Sequence, residues 1–277
     1  MPLLSNKEVL RLKLESVPAD LLKELATIKE LPGRKKGEIV KSLAALPFNQ
    51  DELDKFIRER YAKKVQERQK TIPDDILLNE LHKVQSFQWG VVQGQLDNKI
   101  QVQYVRKYYK YDILLQRVKD ELFDSVRDYV ICTWYNHWTT VIIEDLISTH
   151  PKVVPTLNNL KGVDIFFDGQ PFDLKITYLP SGYDGGCNTS SDLKKLAVWL
   201  YENQGDQRFG SDNRMFVVVH DRQNREDSWK IKKDINFIKA SIDKFFKEEK
   251  VSSDDEVVFT FKKNTYTALS KILFIAK

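Results

Sequence analysis

Apolar side chains recur every three or four positions through residues 5–70, and this spacing predicts a helical segment. Leu21, Leu22 and Leu25 would share one face of a helix, and Pro18 stands near its start, where proline is tolerated. The tetrapeptide at residues 71–74, Thr-Ile-Pro-Asp, has the composition of a junction. We therefore predict a helical N-terminal domain, residues 1–70, with these helices: Ala19 to Ile28, Lys35 to Leu46 and Asp51 to Gln69.

The middle of the chain has a less regular pattern. Residues 87–103 contain Gly90, Gly94 and an Asp97-Asn98 pair between apolar stretches, which favours a hairpin or an irregular loop. Residues 111–129 return to helical periodicity, and we predict one long amphipathic helix there.

From residue 134 onward, helical periodicity alternates with short runs of strand-forming residues. This alternation predicts a second domain, residues 71–277, whose core spans 134–277 and has a mixed central sheet flanked by helices. The predicted fold class is α/β of the α+β kind. The predicted helices are His137 to Ser148, Ser190 to Glu202 and Ile235 to Phe246, and the predicted strands are Val163 to Phe167, Phe172 to Tyr178, Met215 to His220, Glu256 to Phe261 and Lys271 to Ala276.

Composition narrows the class of protein. No apolar run approaches the roughly 20 residues of a membrane helix, and the N-terminus lacks the apolar stretch of a signal peptide. Two cysteines make no disulfide framework, and the four histidines show no HExxH spacing. We expect a cytoplasmic protein that spans no membrane and uses no organic cofactor.

Positive charge is concentrated in two segments, although the net charge of the chain is only +4. Residues 1–70 carry 16 Lys or Arg against 11 Asp or Glu, and residues 99–119 carry six basic residues against one acidic residue. Basic residues interleaved with tyrosines suit contacts to a nucleic-acid backbone, although solvated helix faces have the same composition. The candidate DNA contacts of the second segment are Arg106, Lys107, Tyr108 and Lys110.

The candidate chemistry lies in residues 162–177, where two short strands are joined by Asp168-Gly169. Asp164 lies on the first strand. Asp173 and Lys175 lie on the second, two residues apart, and therefore point to the same face. Two carboxylates suit Mg²⁺, which prefers oxygen ligands, and the backbone carbonyl of Leu174 can supply another. The alternative is a hairpin in which Lys175 only forms an ion pair with an aspartate.

These residues resemble the PD-(D/E)xK nuclease superfamily, which includes many type II restriction enzymes. Asp164 stands at the first motif acid, with Val163 in place of the usual proline, and Asp173-Leu174-Lys175 matches (D/E)xK. The resemblance covers about residues 134–220 and implies a restriction-endonuclease-like fold. The family often adds an acid from the preceding helix, for which Glu144 is the first candidate and Asp145 the second.

The same resemblance implies function. It indicates a Mg²⁺-dependent DNA endonuclease that hydrolyses phosphodiesters in double-stranded DNA, with a sequence-specific type II restriction enzyme, a prokaryotic homodimer, as the expected role. Two alternatives remain open. One is a repair or junction-processing nuclease of the same fold, and the other is an inactive DNA-binding protein.

A second resemblance concerns the N-terminal domain. Leu22 and Leu25, followed by Leu-Pro-Gly-Arg-Lys-Lys at residues 31–36, resemble a SAP-type helix-loop-helix, a small DNA-binding fold. The resemblance implies that Arg34, Lys35 and Lys36 contact phosphate at the N-terminus of the second helix. A plain helical hairpin used only for packing is the alternative.

Overall fold

The computed structural model describes residues 3–31, 35–45, 50–87, 93–204 and 210–277, with the side chains of residues 93–95 outside the description. The chain forms two compact units. The first combines Met1–Thr71 with Glu144–Lys277, and the second is Ile72–Ile143. The candidate chemistry lies entirely in the first unit.

The N-terminal helices confirm the predicted helical segment, and one further helix precedes the three that were predicted. Ser5 caps the first helix through a capping box with Glu8. These helices share one hydrophobic core with the first strands of the sheet, in which Leu14, Leu53 and Phe166 are buried. The described helices of residues 1–70 thus pack against the sheet within the first unit. The helices are α1 (Asn6–Ser16), α2 (Ala19–Ile28), α3 (Lys36–Ala45) and α4 (Gln50–Thr71).

A six-stranded mixed sheet, formed by described residues, carries the site. Its order is β1-β2-β3-β4-β6-β5, with β3-β4 and β4-β6 parallel and the other pairs antiparallel. Helices pack on this sheet, so the predicted α+β class is confirmed. The strands are β1 (Val153–Leu160), β2 (Val163–Phe167), β3 (Gln170–Tyr178), β4 (Arg214–His220), β5 (Glu256–Phe261) and β6 (Asn264–Ala276).

Strand β1 was not among the predicted strands. Pro155 and the Asn158-Asn159 pair are unfavourable in a central strand. Strand β1 lies at the edge of the sheet, where a missing backbone donor is tolerated, and its register with β2 shifts between Pro155 and Leu160.

The connection between β3 and β4 runs through α9 (Ser190–Glu202), whose predicted bounds are confirmed. Thr189 caps it, with Asp192 completing the capping box. Tyr201 on this helix is fully buried and packs on Phe216 of β4 and on Phe259 of β5. These contacts hold α9 over strands β4 and β5, on the side of the sheet away from β1. The later helices of this unit are α10 (Ser228–Ile231) and α11 (Ile235–Glu248).

One prediction for the middle of the chain is wrong, and two predicted helices are confirmed but joined into one. Residues 93–105 are helical throughout, ending in a π-helical turn, instead of forming a hairpin or a loop; residues 88–92 lie outside the description. The helices predicted at 111–129 and 137–148 belong to one helical stretch that includes a π-turn at Val118–Leu122. The helices, before and within this stretch, are α5 (Asp74–His82), α6 (Gln93–Lys99), α7 (Tyr111–Arg117) and α8 (Phe123–Ser148).

Candidate active site

A tight hairpin between β2 and β3 sets the positions of the two aspartates. Asp168 and Gly169 both have positive φ, 47° and 72°, as a two-residue hairpin turn of the favoured type requires. The register pairs Ile165 with Phe172, and continuing it by one step places Asp164 opposite Asp173. Directly opposed residues point to the same face of a sheet, so the two carboxylates are neighbours.

The backbone pairing of β2 with β3 ends just beyond this pair, and the next backbone N–H of β3 bonds to the Asp164 carboxylate instead. The amide of Leu174 donates a 2.8 Å hydrogen bond to Oδ2 of Asp164, whereas the amide of Asp173 donates to the carbonyl of Asn213 on the other side. The N–H and C=O of one strand residue point to the same neighbour. The carbonyl of Leu174, the predicted backbone ligand, therefore faces the Asp164 side.

Lys175 points to the same side as the aspartates. Its Nζ donates a 2.6 Å hydrogen bond to Oδ1 of Asp173, and about half of its side chain is exposed. The structure thus brings Asp164, Asp173 and Lys175 together as predicted. The ion pair is also what the purely structural hairpin would contain, so this contact by itself does not separate the two hypotheses.

Arg214 is a site residue that the sequence reasoning missed. Its Nε donates to Oδ2 of Asp173 at 3.2 Å, one terminal nitrogen donates to Gln204 at 2.7 Å, and the guanidinium lies 5.2 Å from the ring centroid of Tyr201. Arg214 is buried, so it holds Asp173 from within the protein while Lys175 holds it from the solvent side. An arginine at the start of the apolar strand Met-Phe-Val-Val-Val was the available signal.

The structure also distinguishes the two helix acids. Asp145 accepts hydrogen bonds from Arg68 at 2.7 Å and from the Tyr61 hydroxyl at 3.2 Å. Glu144 is half-buried and lies close enough to Asp164 for their charges to interact. Glu144, not Asp145, is therefore the acid beside the hairpin.

Burial, and then nearby negative charge, raise the pKa values of Glu144 and Asp164. Burial, with Asp164 and Asp145 nearby, raises the pKa of Glu144 to about 7, and Lys175 opposes this rise. The pKa of Asp164 is raised as well, first by desolvation of its carboxylate and then by Asp173, against the lowering effect of the Leu174 amide. Desolvation and neighbouring carboxylates thus disfavour the charged forms of both Glu144 and Asp164.

An open cavity of about 350 Å³ lies beside Glu144 and Asp164. Glu144, Asp164 and Leu174 form part of its lining, and α4 contributes another part through Tyr61 and Lys64. The remaining lining residues are Ser148, Thr156, Leu157, Asn158 and Asn159.

The donor set fits a hard divalent cation. Two adjacent carboxylates and a backbone carbonyl are oxygen donors, and Mg²⁺ is usually held by one or two carboxylates with waters completing its shell. A cation here would also stabilise the charged forms of Glu144 and Asp164, which burial and neighbouring carboxylates disfavour. Within the described residues, no three His, Cys, Asp or Glu side chains are already gathered at ligand spacing.

The predicted DNA contacts fall in different parts of the chain. Arg34 lies outside the described residues, Lys35 is exposed, and Lys36 is half-buried with its Nζ donating to the carbonyl of Glu15 at 2.7 Å. Lys36 is thus engaged in packing α3 on α1. The contacts predicted in the second unit, near the start of α7, are exposed Arg106, Lys107 and Lys110 and half-buried Tyr108.

Comparisons with family models, with curated proteins and with solved structures give no match to this chain. Among the described residues, no helix has the length and the low polarity that crossing a bilayer requires. The function is therefore inferred from the geometry of the site.

Proposed function

We propose that this protein is a Mg²⁺-dependent DNA endonuclease of the PD-(D/E)xK type, which hydrolyses phosphodiester bonds in double-stranded DNA. The observation that carries the proposal is the meeting of Asp164, Asp173 and Lys175 where β2 and β3 separate, with Glu144 beside them. The order α8-β1-β2-β3-α9-β4 supports it, because the family resemblance requires a helix before the hairpin and a helix-strand unit after it.

Asp164, Asp173 and the Leu174 carbonyl would hold the cation, and Glu144 would contribute from α8. Bound Mg²⁺ polarises the scissile phosphate and lowers the pKa of water. Lys175 orients the attacking water or helps to remove its proton, and its charge offsets the charge that develops on the phosphate. Its half-exposed side chain can reach a substrate while its Nζ stays beside Asp173. Arg214 keeps the Asp173 carboxylate in place.

The biological role we propose is sequence-specific cleavage of both strands, as in type II restriction. Cutting two strands at one short site calls for two active sites, so the proposal includes a homodimer. The restriction role also implies a prokaryotic cytoplasm. A repair or junction-processing nuclease would use the same residues but would select DNA by its structure.

The test is cleavage of phage DNA with Mg²⁺ by the wild-type protein, by Lys175→Ala and by Lys239→Ala. Lys239 is an exposed lysine of α11 that does not line the cavity, so it is the matched control. We expect Lys175→Ala to lose at least about 100-fold in cleavage rate while DNA binding persists, and Lys239→Ala to cleave normally.

The fragment ends then separate the roles. A fixed set of fragments with one shared terminal sequence supports restriction, whereas cleavage only of branched or flapped DNA supports repair. The nuclease proposal is wrong if the wild-type protein cleaves none of phage, branched or flapped DNA with Mg²⁺, or if Lys175→Ala cleaves as fast as the wild-type protein.

A further inference from the structure

Polar contacts from the middle and the C-terminal part of helix α4 hold it alongside the candidate active site. Near the middle of the helix, Nε of Arg58 donates to the carbonyl of Val153 on β1 at 2.9 Å. Farther along, the Tyr61 hydroxyl and Arg68 both donate to Asp145 on α8. These contacts fix the position of α4 relative to β1 and the end of α8. Strand β1 contributes residues 156–159 to the cavity lining, and α8 contributes Glu144.

Lys64 of α4 lines the cavity, and its ammonium group forms no ion pair with a described residue. It is exposed, its Nζ lies 5.8 Å from the ring centroid of Tyr61, and no described carboxylate pairs with it. Its helix neighbours Arg60 and Arg68 are instead bound to Glu24 and Asp145. Lys64 is therefore available to an anion from solution.

Lys64 is also the cationic residue among those that line the cavity, and the acids there are Glu144 and Asp164. A DNA strand entering this cavity meets those carboxylates, so a positive charge from α4 in the same lining would offset repulsion of its phosphates. The amides of Asn158 and Asn159, which are exposed at the same rim, are suitable neutral donors to phosphate oxygens.

We propose that Lys64 binds a backbone phosphate adjacent to the one that is cut, and so positions the strand over Asp164 and Asp173. This inference rests on the proposed nuclease function and adds a substrate-positioning residue from the N-terminal helices. Helix α4 then forms part of the active site, beyond its contribution to the hydrophobic core.

Salt-dependent DNA binding by the full chain tests this, in a Lys175→Ala background with Mg²⁺ so that the DNA stays intact. Lys64→Gln removes the charge, Lys64→Arg keeps it, and Lys63→Gln removes a neighbouring exposed charge that does not line the cavity. Binding of phage DNA fragments is measured between about 50 and 200 mM salt. Thermal unfolding confirms that each variant is folded.

One phosphate contact contributes about 0.9 to the slope of log affinity against log salt. We expect the slope of Lys64→Gln to be smaller by that amount. Its loss of DNA affinity over this fourfold rise in salt should then be about 3.5-fold smaller than the loss shown by the parent protein. Lys64→Arg should keep the parental slope. Lys63→Gln should also keep it. Equal slopes for Lys64→Gln and Lys63→Gln would overturn the inference about Lys64.

Cleavage by the otherwise wild-type chain separates this failure from failure of the nuclease proposal. If that chain cuts DNA with Mg²⁺ and Lys64→Gln binds like Lys63→Gln, only the role of Lys64 is wrong. If the chain neither cuts DNA nor binds it in a salt-dependent way, both proposals fail together.

Discussion

Replacing Glu144 with glutamine should stabilise the metal-free protein at neutral and higher pH. The folded protein raises the pKa of Glu144 from its ordinary value of 4.5 to about 7, chiefly through burial. Between these two values the folded state keeps a proton that the unfolded state has released. The free energy of unfolding therefore falls as pH rises through this window, and glutamine, which resembles the protonated form, removes the fall.

The size of the effect follows from the same pKa values. Each pKa unit corresponds to about 1.4 kcal/mol, so the rise of the Glu144 pKa from 4.5 to about 7 sets an upper limit of about 3 kcal/mol. Near pH 4.5 the two proteins should differ little. Above pH 7.5, Glu144→Gln should be more stable by an amount approaching this limit, because the charged carboxylate beside Asp164 is then absent.

Urea unfolding in the presence of a chelator, at several pH values between 4.5 and 8.5, measures the difference directly. Glu67→Gln is the matched control, since Glu67 is an exposed residue of α4 outside the cavity and such substitutions change stability by no more than about 0.5 kcal/mol. Adding Mg²⁺ at pH 8 should stabilise the wild-type protein more than Glu144→Gln, because the variant lacks one of the carboxylates that attract the cation.

The reasoning is refuted if the difference between Glu144→Gln and the wild-type protein is the same at pH 4.5 and pH 8.5, or if the variant is the less stable protein at the higher pH. Either result would mean that Glu144 is not desolvated among the acids of the cavity.

Two further predictions concern buried basic side chains. Arg214→Met should lower the free energy of unfolding by about 3 kcal/mol, because it leaves buried Asp173 with Lys175 as its remaining charged partner; a loss below about 1 kcal/mol in urea unfolding contradicts this. Lys232 is buried, with its Nζ 4.3 Å from the ring centroid of Tyr178, and burial lowers its pKa from 10.5 to about 7. Between these two pH values the unfolded protein keeps a proton on Lys232 that the folded protein has released, so the free energy of unfolding of the wild-type protein should rise by about 3 kcal/mol from pH 7 to pH 9.5. Lys232→Met should lack this rise. Urea unfolding measures both proteins, and parallel pH profiles would contradict the prediction.

The elements with strong local signals were predictable from the amino-acid order. Helices α2 and α9 and strand β2 have the predicted bounds. Their residue periodicity and the residues that begin or end them lie in or directly beside each segment, so these bounds are set locally. The Asp168-Gly169 turn is equally local, since its two positive φ angles favour these residue types. The turn and the period of two along β3 were sufficient to predict that Asp164, Asp173 and Lys175 meet.

The elements that failed were those whose local signals conflict with their surroundings. Gly94 and Asp97-Asn98 favour a turn, yet residues 93–105 are helical, and Pro155 and Asn158 lie in strand β1. Propensity differences of this kind amount to at most about 1 kcal/mol per residue, which pairing with β2 or packing of a neighbouring helix can exceed.

Tertiary structure alone decided which other side chains join the hairpin. Glu144 and Asp145 are adjacent acids on one helix, and only the contact of Asp145 with Arg68, 77 residues away, shows which of them faces the cavity. Arg214 reaches Asp173 across 41 residues through the parallel pairing of β3 with β4. Local patterns encode short turns and periodicities, whereas charge pairs between distant segments depend on how helices and strands pack, which no single segment specifies.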